Sequence, residues 1–106
     1  MYKISAVIIT YNEALNIVRC IESVKPVADE IIILDSYSTD HTVELARSCG
    51  AIVYQEKFRG YIGQKNAAIA LASHDYILSL DADEALDAEL TASILAVRDT
   101  LHSRAY

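Results

Sequence analysis

The sequence predicts an α/β fold in which an open, mainly parallel sheet carries helices on both faces. Two observations support this prediction. Short aliphatic runs, typical of strands buried on both faces, alternate along the chain with segments whose apolar residues recur at helical spacing. The connections between these segments are short. The expected order is β-α-β-α-β-α-β-α, a Rossmann-like arrangement in which ligands bind beyond the carboxyl ends of the strands.

Four segments are predicted to be strands. The continuous aliphatic runs Ile4 to Ile9 and Ile31 to Leu34 have the composition of strands buried on both faces. Ala51 to Tyr54 and Tyr76 to Leu80 are similar but shorter runs.

The first two predicted helices alternate with these strands. The first has an apolar stripe from Ala14 to Val24, and Pro26 stops it. The second begins near the cluster Ser38-Thr39-Asp40, whose side chains can cap free backbone N–H groups, and it ends at Gly50.

Two further helices complete the pattern. The third is expected from about Gln64 to Ala72. The fourth has Asp87 as its candidate N-cap and an amphipathic stripe made by Leu90, Ile94, Val97 and Leu101.

The composition predicts one globular domain over residues 1–106. Of the 106 residues 53% are hydrophobic, and the net charge of −6 disfavours contact with a nucleic-acid backbone. Cys20 and Cys49 occur without CxxC spacing and are predicted to be reduced core residues. The three histidines are too scattered for a structural zinc site. No stretch has the pattern of a secretory leader or a membrane span, so the expected compartment is the cytoplasm.

Polar residues follow three of the four predicted strands. Each cluster alone is equally well explained as a turn or a helix cap. Because the carboxyl ends of parallel strands share one edge of the sheet, the three clusters together predict a site there. The clusters are Thr10-Tyr11-Asn12-Glu13, Asp35-Ser36-Tyr37-Ser38-Thr39-Asp40 and Asp81-Ala82-Asp83-Glu84.

The triplet Asp81-Ala82-Asp83 is the sharpest local feature. Its two carboxylates can supply hard oxygen ligands to a divalent cation, which would keep waters and bind a phosphate. No glycine-rich GxGxxG or GxxxxGK[ST] loop is present to approach a phosphate through its backbone. The pattern therefore favours a nucleoside diphosphate held by Mg²⁺ or Mn²⁺.

Several motifs in this order resemble the N-terminal, nucleotide-sugar-binding half of an inverting family 2 glycosyltransferase with the GT-A fold. The details are similar to the branch that contains lipopolysaccharide-core β-glucosyltransferases. The matching segments are Ile4 to Glu13, the Asp-Ser-x-Ser-Thr-Asp-x-Thr pattern within Ile31 to Thr42, Gly60 to Ala67, and Tyr76 to Glu84.

The resemblance implies roles for the nucleotide-binding residues. Thr10, Tyr11 and Glu13 match the family's first nucleotide-contacting loop, in which the aromatic ring lies against the base and polar groups reach the base edge and the ribose. Asp35 matches an acidic residue that contacts the nucleoside. Lys65 falls where the family often has a basic residue near the base or phosphate.

The resemblance also implies a metal site at Asp81 and Asp83. Asp83 matches the more direct ligand, and Asp81 is implied to lie nearer the ribose or a coordinated water. The cation would be Mg²⁺ or Mn²⁺, stabilising the charge that develops on the departing diphosphate.

This sequence departs from the family pattern in a few places. Tyr37 stands where relatives commonly have glycine, and Ile62-Gly63 replaces an expected Gly-Pro. The family's catalytic base and acceptor half come from residues well beyond the metal motif, so the domain is expected to be truncated before the acceptor half and the catalytic residue is unknown. Glu84, Asp87 and Glu89 are interpreted as a helix-start cluster that favours the helix dipole.

The expected function is transfer of a sugar from a nucleotide-diphosphate donor to a glycan or lipid-linked acceptor such as the lipopolysaccharide core. A UDP-sugar is the first choice of donor. A peripheral position at the inner face of the membrane and a homo-oligomer are further expectations. One alternative is a non-catalytic nucleotide-diphosphate-binding or assembly module that lacks the general base. A second is a receiver-like signalling domain, although the required lone Asp after strand three and Lys after strand five are not visible.

Overall fold

The computed structural model describes residues 3–98, which form an α/β domain. Its strands and helices alternate in the predicted order, and every predicted element is present. The elements are β1 (Ile4–Thr10), α1 (Ile17–Val24), β2 (Glu30–Asp35), α2 (Thr42–Ser48), β3 (Ile52–Gln55), α3 (Tyr61–Ala70), β4 (Tyr76–Asp81) and α4 (Ala88–Arg98).

The four strands form one parallel sheet in the order β3-β2-β1-β4. In this register Thr10 of β1 pairs with Asp35 of β2, while Ile9 of β1 pairs with Asp81 of β4. The carboxyl ends of β1, β2 and β4 therefore meet at one edge of the sheet. The prediction of an open parallel sheet is confirmed.

Helices cover both faces of the sheet, as predicted. On one face, Ile8 and Ile33 pack with Ile21 of α1 and Ala46 of α2 in the larger core cluster. On the other face, apolar side chains of β1 and β2 pack against Ala68 of α3. The aliphatic runs are buried on both sides because the side chains of each strand alternate between these two clusters.

Two helices begin at residues that differ from those the periodicity predicts. α1 begins at Ile17 instead of Ala14, because the preceding residues form a turn in which the Ile17 N–H donates to the Glu13 carbonyl at 2.8 Å. α3 begins at Tyr61 instead of Gln64, directly after Gly60, whose φ of 90° suits a glycine before the first turn. α2, by contrast, begins at Thr42, close to the predicted cluster, and its first N–H donates to the Asp40 carboxylate at 3.0 Å.

The fourth helix begins as predicted. The Asp87 carboxylate accepts a hydrogen bond from the Leu90 N–H at 2.7 Å, which makes Asp87 the cap. Of its apolar stripe, Ile94 is buried while Leu90 and Val97 are exposed. Leu101 lies outside the described residues.

Neither cysteine forms a disulfide in the described chain. Cys20 is buried and Cys49 is half-buried, as expected for reduced residues. Among residues 3–98, no helix is long and apolar enough to cross a membrane.

Candidate functional site

A cleft of about 420 Å³ opens at the carboxyl edge of the sheet, where the sequence predicts the site. It collects residues from the ends of β1, β2 and β4 and from the segment that leads into α3. Its lining comprises Ile9, Thr10, Tyr11, Glu13, Ser36, Phe58, Tyr61, Gln64, Asp81, Ala82 and Asp83. Five of the predicted site residues, namely Thr10, Tyr11, Glu13, Asp81 and Asp83, therefore lie on one cleft.

The loop that carries Tyr11 is tied to the loop after β2. The Asn12 backbone N–H donates to Ser38 Oγ at 2.8 Å, and the Asn12 side-chain oxygen Oδ1 accepts from the Thr39 N–H at 2.7 Å. Asn12 has a φ of 51°, a left-handed conformation that asparagine tolerates better than most residues. These reciprocal bonds fix the loop while the Tyr11 ring stays 57% exposed at the cleft.

Tyr37 also adopts a left-handed conformation, with a φ of 60°. This explains why glycine suits the position, since a residue without Cβ has no steric penalty there. The turn keeps its shape with tyrosine because Asp35 accepts a hydrogen bond from the Ser38 N–H at 2.8 Å across it.

Asp35 lies beneath the cleft and is not part of its lining. The side chain is fully buried and accepts hydrogen bonds from Thr10 Oγ1 at 2.6 Å, Ser38 Oγ at 2.5 Å and Gln55 Nε2 at 3.2 Å. The structure thus places Asp35 as the link between the ends of β1, β2 and β3. Direct contact of Asp35 with a nucleoside stays a prediction of the family resemblance.

The carboxylates of Asp81 and Asp83 have different surroundings. Asp81 is half-buried, and Lys65 Nζ lies 3.0 Å from its Oδ1 atom as an ion-pair partner. Asp83 is exposed at the cleft, and its carboxylate forms no hydrogen bond or ion pair with the described residues. The second carboxylate is therefore the more accessible of the two for a cation.

The donor set fits a divalent cation that is bound together with a phosphate. Asp81 Oδ1 is shielded from solvent, and within residues 3–98 its close polar neighbour is the Lys65 ammonium group, a charge that a bound cation could replace. No group of three His, Cys, Asp or Glu side chains in that part of the chain could hold a metal alone. Mg²⁺ typically uses one or two carboxylates plus waters and substrate phosphates, which matches a two-carboxylate site.

The other wall of the cleft consists of aromatic residues that are not among the predicted site residues. Phe58 and Tyr61 form an edge-to-face aromatic pair with ring centroids 6.3 Å apart, and both rings are exposed. Lys65 Nζ lies 5.9 Å from the centroid of the Tyr61 ring, which joins this wall to the Asp81 ion pair. A cleft that combines aromatic rings, the ammonium group of Lys65 and two carboxylates suits a ligand that has a planar group and a phosphate.

Gln64 also lines the cleft and is not among the predicted site residues. Its side chain is fully buried, donates to Ser36 Oγ at 3.1 Å and accepts from the Arg59 N–H at 3.3 Å. It joins the loop after β2 to the segment before α3. The burial of Gln64 could be predicted from the sequence only if α3 were expected to begin at Tyr61, because Gln64 then lies inside the helix.

A sequence profile described as glycosyl transferase family 2 matches residues 5–99, which include all of the cleft and every strand residue except Ile4. The chain belongs to glycosyl transferase family 2. The resemblance that the motifs indicated is therefore confirmed.

Curated relatives of this family 2 chain are larger proteins. It is 52% identical over 94 residues to an uncharacterized glycosyltransferase of Rickettsia felis, a match that covers 89% of the chain and 33% of that relative. It is 41% identical over 106 residues to the lipopolysaccharide core biosynthesis glycosyltransferase LpsC of Rhizobium meliloti, covering 92% of the chain and 39% of LpsC. The chain thus spans about a third of the length of these relatives.

Solved glycosyltransferase structures share the fold of this family 2 chain. Glucosyl-3-phosphoglycerate synthase from Mycobacterium tuberculosis, in complex with Mn²⁺, UDP and glucosyl-3-phosphoglycerate, matches with a TM-score of 0.68 and 30% identity over 76% of the chain and 33% of the synthase. The mannosyltransferase PcManGT from Pyrobaculum calidifontis, in complex with GDP-Man and Mn²⁺, has a TM-score of 0.77 and 24% identity over 92% of the chain and 32% of that enzyme. The predicted GT-A nucleotide-binding half is confirmed as the fold.

Proposed function

We propose that this chain is the donor-binding part of an inverting, metal-dependent glycosyltransferase. The transferred sugar would come from a nucleotide-diphosphate donor and pass to a glycan or lipid-linked acceptor. The observation that carries this proposal is the cleft itself, where the exposed Tyr11 ring and the Asp81 and Asp83 carboxylates line one cavity. An aromatic face suits a nucleobase, and a carboxylate pair suits a cation that neutralises a diphosphate.

The cleft residues have separate tasks in this proposal. Tyr11 stacks on the base, while Thr10 and Glu13 offer polar atoms to the base edge and the ribose. Asp35 keeps Thr10 in place from below, because its carboxylate accepts a hydrogen bond from the Thr10 hydroxyl at 2.6 Å. The Thr10 oxygen then remains free to accept a hydrogen bond from the ligand.

Asp83 and Asp81 would hold the cation, which supplies electrostatic stabilisation of the leaving diphosphate when it is bound. Asp83 is the accessible ligand. Asp81 carries the Lys65 ion pair, so in the absence of a donor the lysine compensates its charge. Lys65 is positioned to interact with the diphosphate when the cation takes over this compensation.

A UDP-sugar is the donor that the comparisons favour. The synthase that is 30% identical to this chain is described in complex with UDP and Mn²⁺. The relative LpsC supports a lipopolysaccharide-core acceptor. Such an acceptor is assembled on a lipid, so we further propose a cytoplasmic protein that works peripherally at the inner face of the membrane.

Calorimetry of UDP binding tests the proposal. We expect tight binding with Mn²⁺ or Mg²⁺ and weak binding in chelator, and we expect Asp83→Asn to remove most of the metal-linked gain because a hard cation depends on anionic oxygens. Asp87→Asn is the matched control. It makes the same change in charge at a residue that caps α4 outside the cleft, and asparagine is an equally good cap.

Equal affinity for UDP with metal and with chelator would contradict the metal role. Loss of affinity in Asp87→Asn equal to that in Asp83→Asn would show that net charge, and not the carboxylate pair, determines binding.

One observation favours a second candidate, a nucleotide-diphosphate-binding module without transfer activity. The carboxylates that line the described cleft are Glu13, Asp81 and Asp83, and the proposal assigns all three to donor or metal. Glu84 accepts the Asp81 N–H at 2.7 Å and Asp87 caps α4, which supports the interpretation of these carboxylates as turn and cap residues. A donor-consumption assay with a lipopolysaccharide-core acceptor separates binding from transfer.

A further inference from the structure

The turn that carries Asp83 is held from outside the cleft by helix α1. Three side chains of this helix contact the backbone of residues 81–86. Arg19 Nη2 donates to the Asp83 carbonyl at 2.9 Å, Cys20 Sγ lies 3.7 Å from the Asp81 carbonyl, and Ser23 Oγ accepts from the Leu86 N–H at 3.0 Å. One helix thus binds the turn at its start, its middle and its end.

These contacts come from a rigid support. Ile17, Ile21 and Val24 of α1 are fully buried in the larger core cluster, so the helix cannot shift without disturbing the core. The Cys20 thiol, on the same buried face of the helix, is a weak donor to the Asp81 carbonyl. Helix α1 therefore fixes the position of the turn relative to the hydrophobic core.

Arg19 differs from the other two contacts in its position. It is exposed, it is not part of the cleft lining, and its guanidinium binds the carbonyl of the residue whose carboxylate faces the cleft. This side chain therefore lies outside the cleft lining and binds the backbone that carries the Asp83 carboxylate.

We infer that Arg19 is a positioning residue that holds the Asp83 turn in the conformation that binds the cation. The inference rests on the proposed function, because it concerns the same metal pair. It adds a residue that acts through the backbone of the site and contacts neither metal nor donor.

The sign of the effect distinguishes positioning from plain electrostatics. The Arg19 guanidinium is a positive charge close to the cation site, so on Coulombic grounds alone its removal would strengthen cation binding. A positioning role predicts the opposite, because a turn without this hydrogen bond samples other conformations and binds the cation less well. A purely structural role for Arg19 would lower stability and leave metal-linked affinity per folded molecule unchanged.

The experiment compares Arg19→Ala with the wild-type chain in two conditions. UDP affinity is measured by calorimetry with Mn²⁺ and with chelator, and Mn²⁺ binding is followed by electron paramagnetic resonance. We expect Arg19→Ala to reduce the Mn²⁺-linked affinity about two- to tenfold, the value of one hydrogen bond, and to leave affinity in chelator unchanged. Arg19→Lys, which keeps the charge and one donor group, should recover part of the loss.

Arg47→Ala is the matched control, since it removes the same charge from an exposed site on α2. It should change neither affinity. Hydrogen exchange of the Glu84 amide, which donates to the Asp81 carbonyl at 2.9 Å, should become faster in Arg19→Ala without any ligand present.

Unchanged or stronger Mn²⁺-linked affinity in Arg19→Ala, beside a clear metal effect in the wild-type chain, would overturn the inference alone. A wild-type chain that binds UDP equally well with Mn²⁺ and with chelator would overturn the proposed metal role and the inference with it. The two failures are therefore distinguishable within one set of titrations.

Discussion

Strand β2 begins and ends with a carboxylate, and the two ends of the sheet use these groups in different ways. At the amino end, Glu30 accepts hydrogen bonds from Ser5 Oγ at 2.5 Å and from the Ser73 N–H at 2.6 Å. At the carboxyl end, Asp35 accepts bonds of similar length from Thr10 and Ser38. Both carboxylates thus join neighbouring strands and loops through hydroxyl and amide donors.

The difference lies in what surrounds each network. The groups around Glu30 bond to one another, since Ser5 Oγ also accepts from the His74 N–H at 3.1 Å. Around Asp35, by contrast, the network supports an exposed Tyr11 ring and faces a cleft that contains Asp83. A hydrogen-bonded acidic residue therefore marks structure at both ends, and exposed rings and unused carboxylates are what distinguish the site.

The largest expected effect is that of Asp35→Asn. Asparagine keeps the size of the side chain but places an amide N–H group where the protein already offers donors. We expect a loss of about 1–3 kcal/mol in the free energy of unfolding, because at least one buried donor loses its acceptor. UDP affinity should fall as well, since the network that positions Thr10 and the loop of Ser38 loses part of its acceptor. Urea unfolding and calorimetry measure the two effects on the same variant.

Glu30→Gln is the comparison variant for this prediction. It should cost less stability, because Glu30 is partly exposed and water can replace the lost interactions, and it should leave UDP affinity unchanged. An Asp35→Asn chain that is as stable as the wild type yet does not bind UDP would contradict the supporting role. Such a result would favour direct contact with the nucleoside, as the family resemblance implies.

The second-largest effect concerns Tyr11, whose exposed ring has no supporting role in the folded structure. Tyr11→Ala should weaken UDP binding about tenfold or more, because stacking on an aromatic ring is worth about 1–3 kcal/mol per base. The free energy of unfolding should change by less than about 0.5 kcal/mol, since the ring is 57% exposed. Calorimetry and thermal unfolding measure both quantities.

Tyr54→Ala provides the control, because Tyr54 is a similarly exposed tyrosine on β3 that does not line the cleft. It should leave UDP affinity unchanged. If Tyr11→Ala lowers the melting temperature sharply and keeps its affinity for UDP, the tyrosine is structural and the first loop does not bind the base.

The fold could be predicted from the sequence because its strands are continuous aliphatic runs. Ile4 to Ile9 and Ile31 to Leu34 have few alternatives to a strand buried on both faces, and parallel pairing then places their polar ends at one edge. This rule is sufficient to bring Tyr11, Asp81 and Asp83 to the same cleft, where the structure has them.

The rest of the site could not be predicted because it depends on details that no pattern contains. Phe58 and Tyr61 reach the cleft because α3 begins at Tyr61, three residues earlier than the periodicity indicates. The burial of Asp35 depends on hydroxyl partners from two different loops. Arg19 has the sequence context of a solvent-exposed helical arginine, and its partner is a carbonyl 64 residues away.

The smallest expected effect is a pH dependence of stability that comes from the Glu30 network. Burial alone would raise the pKa of Glu30, but the hydrogen bonds from Ser5 and Ser73 outweigh it and lower the pKa below its ordinary value of 4.5. A lowered pKa in the folded protein means that the unfolded chain binds the proton more readily. The stability that the Glu30 carboxylate contributes is therefore present above pH 4.5 and is lost as the pH falls through the lowered pKa.

Thermal unfolding of the wild-type and Glu30→Gln chains from pH 7 to pH 3 measures this contribution. The melting temperature of the wild type should exceed that of the variant at neutral pH, and the gap should close in acid. The hydrogen bonds from Thr42 similarly lower the pKa of Asp40, so both chains lose stability in the same range and only the difference between them reports on Glu30. UDP affinity should follow the same pH curve in both chains, because the Glu30 network lies at the opposite end of β2 from the cleft. A gap that stays constant down to pH 3 would show that the glutamate acts through its shape and not through its charge.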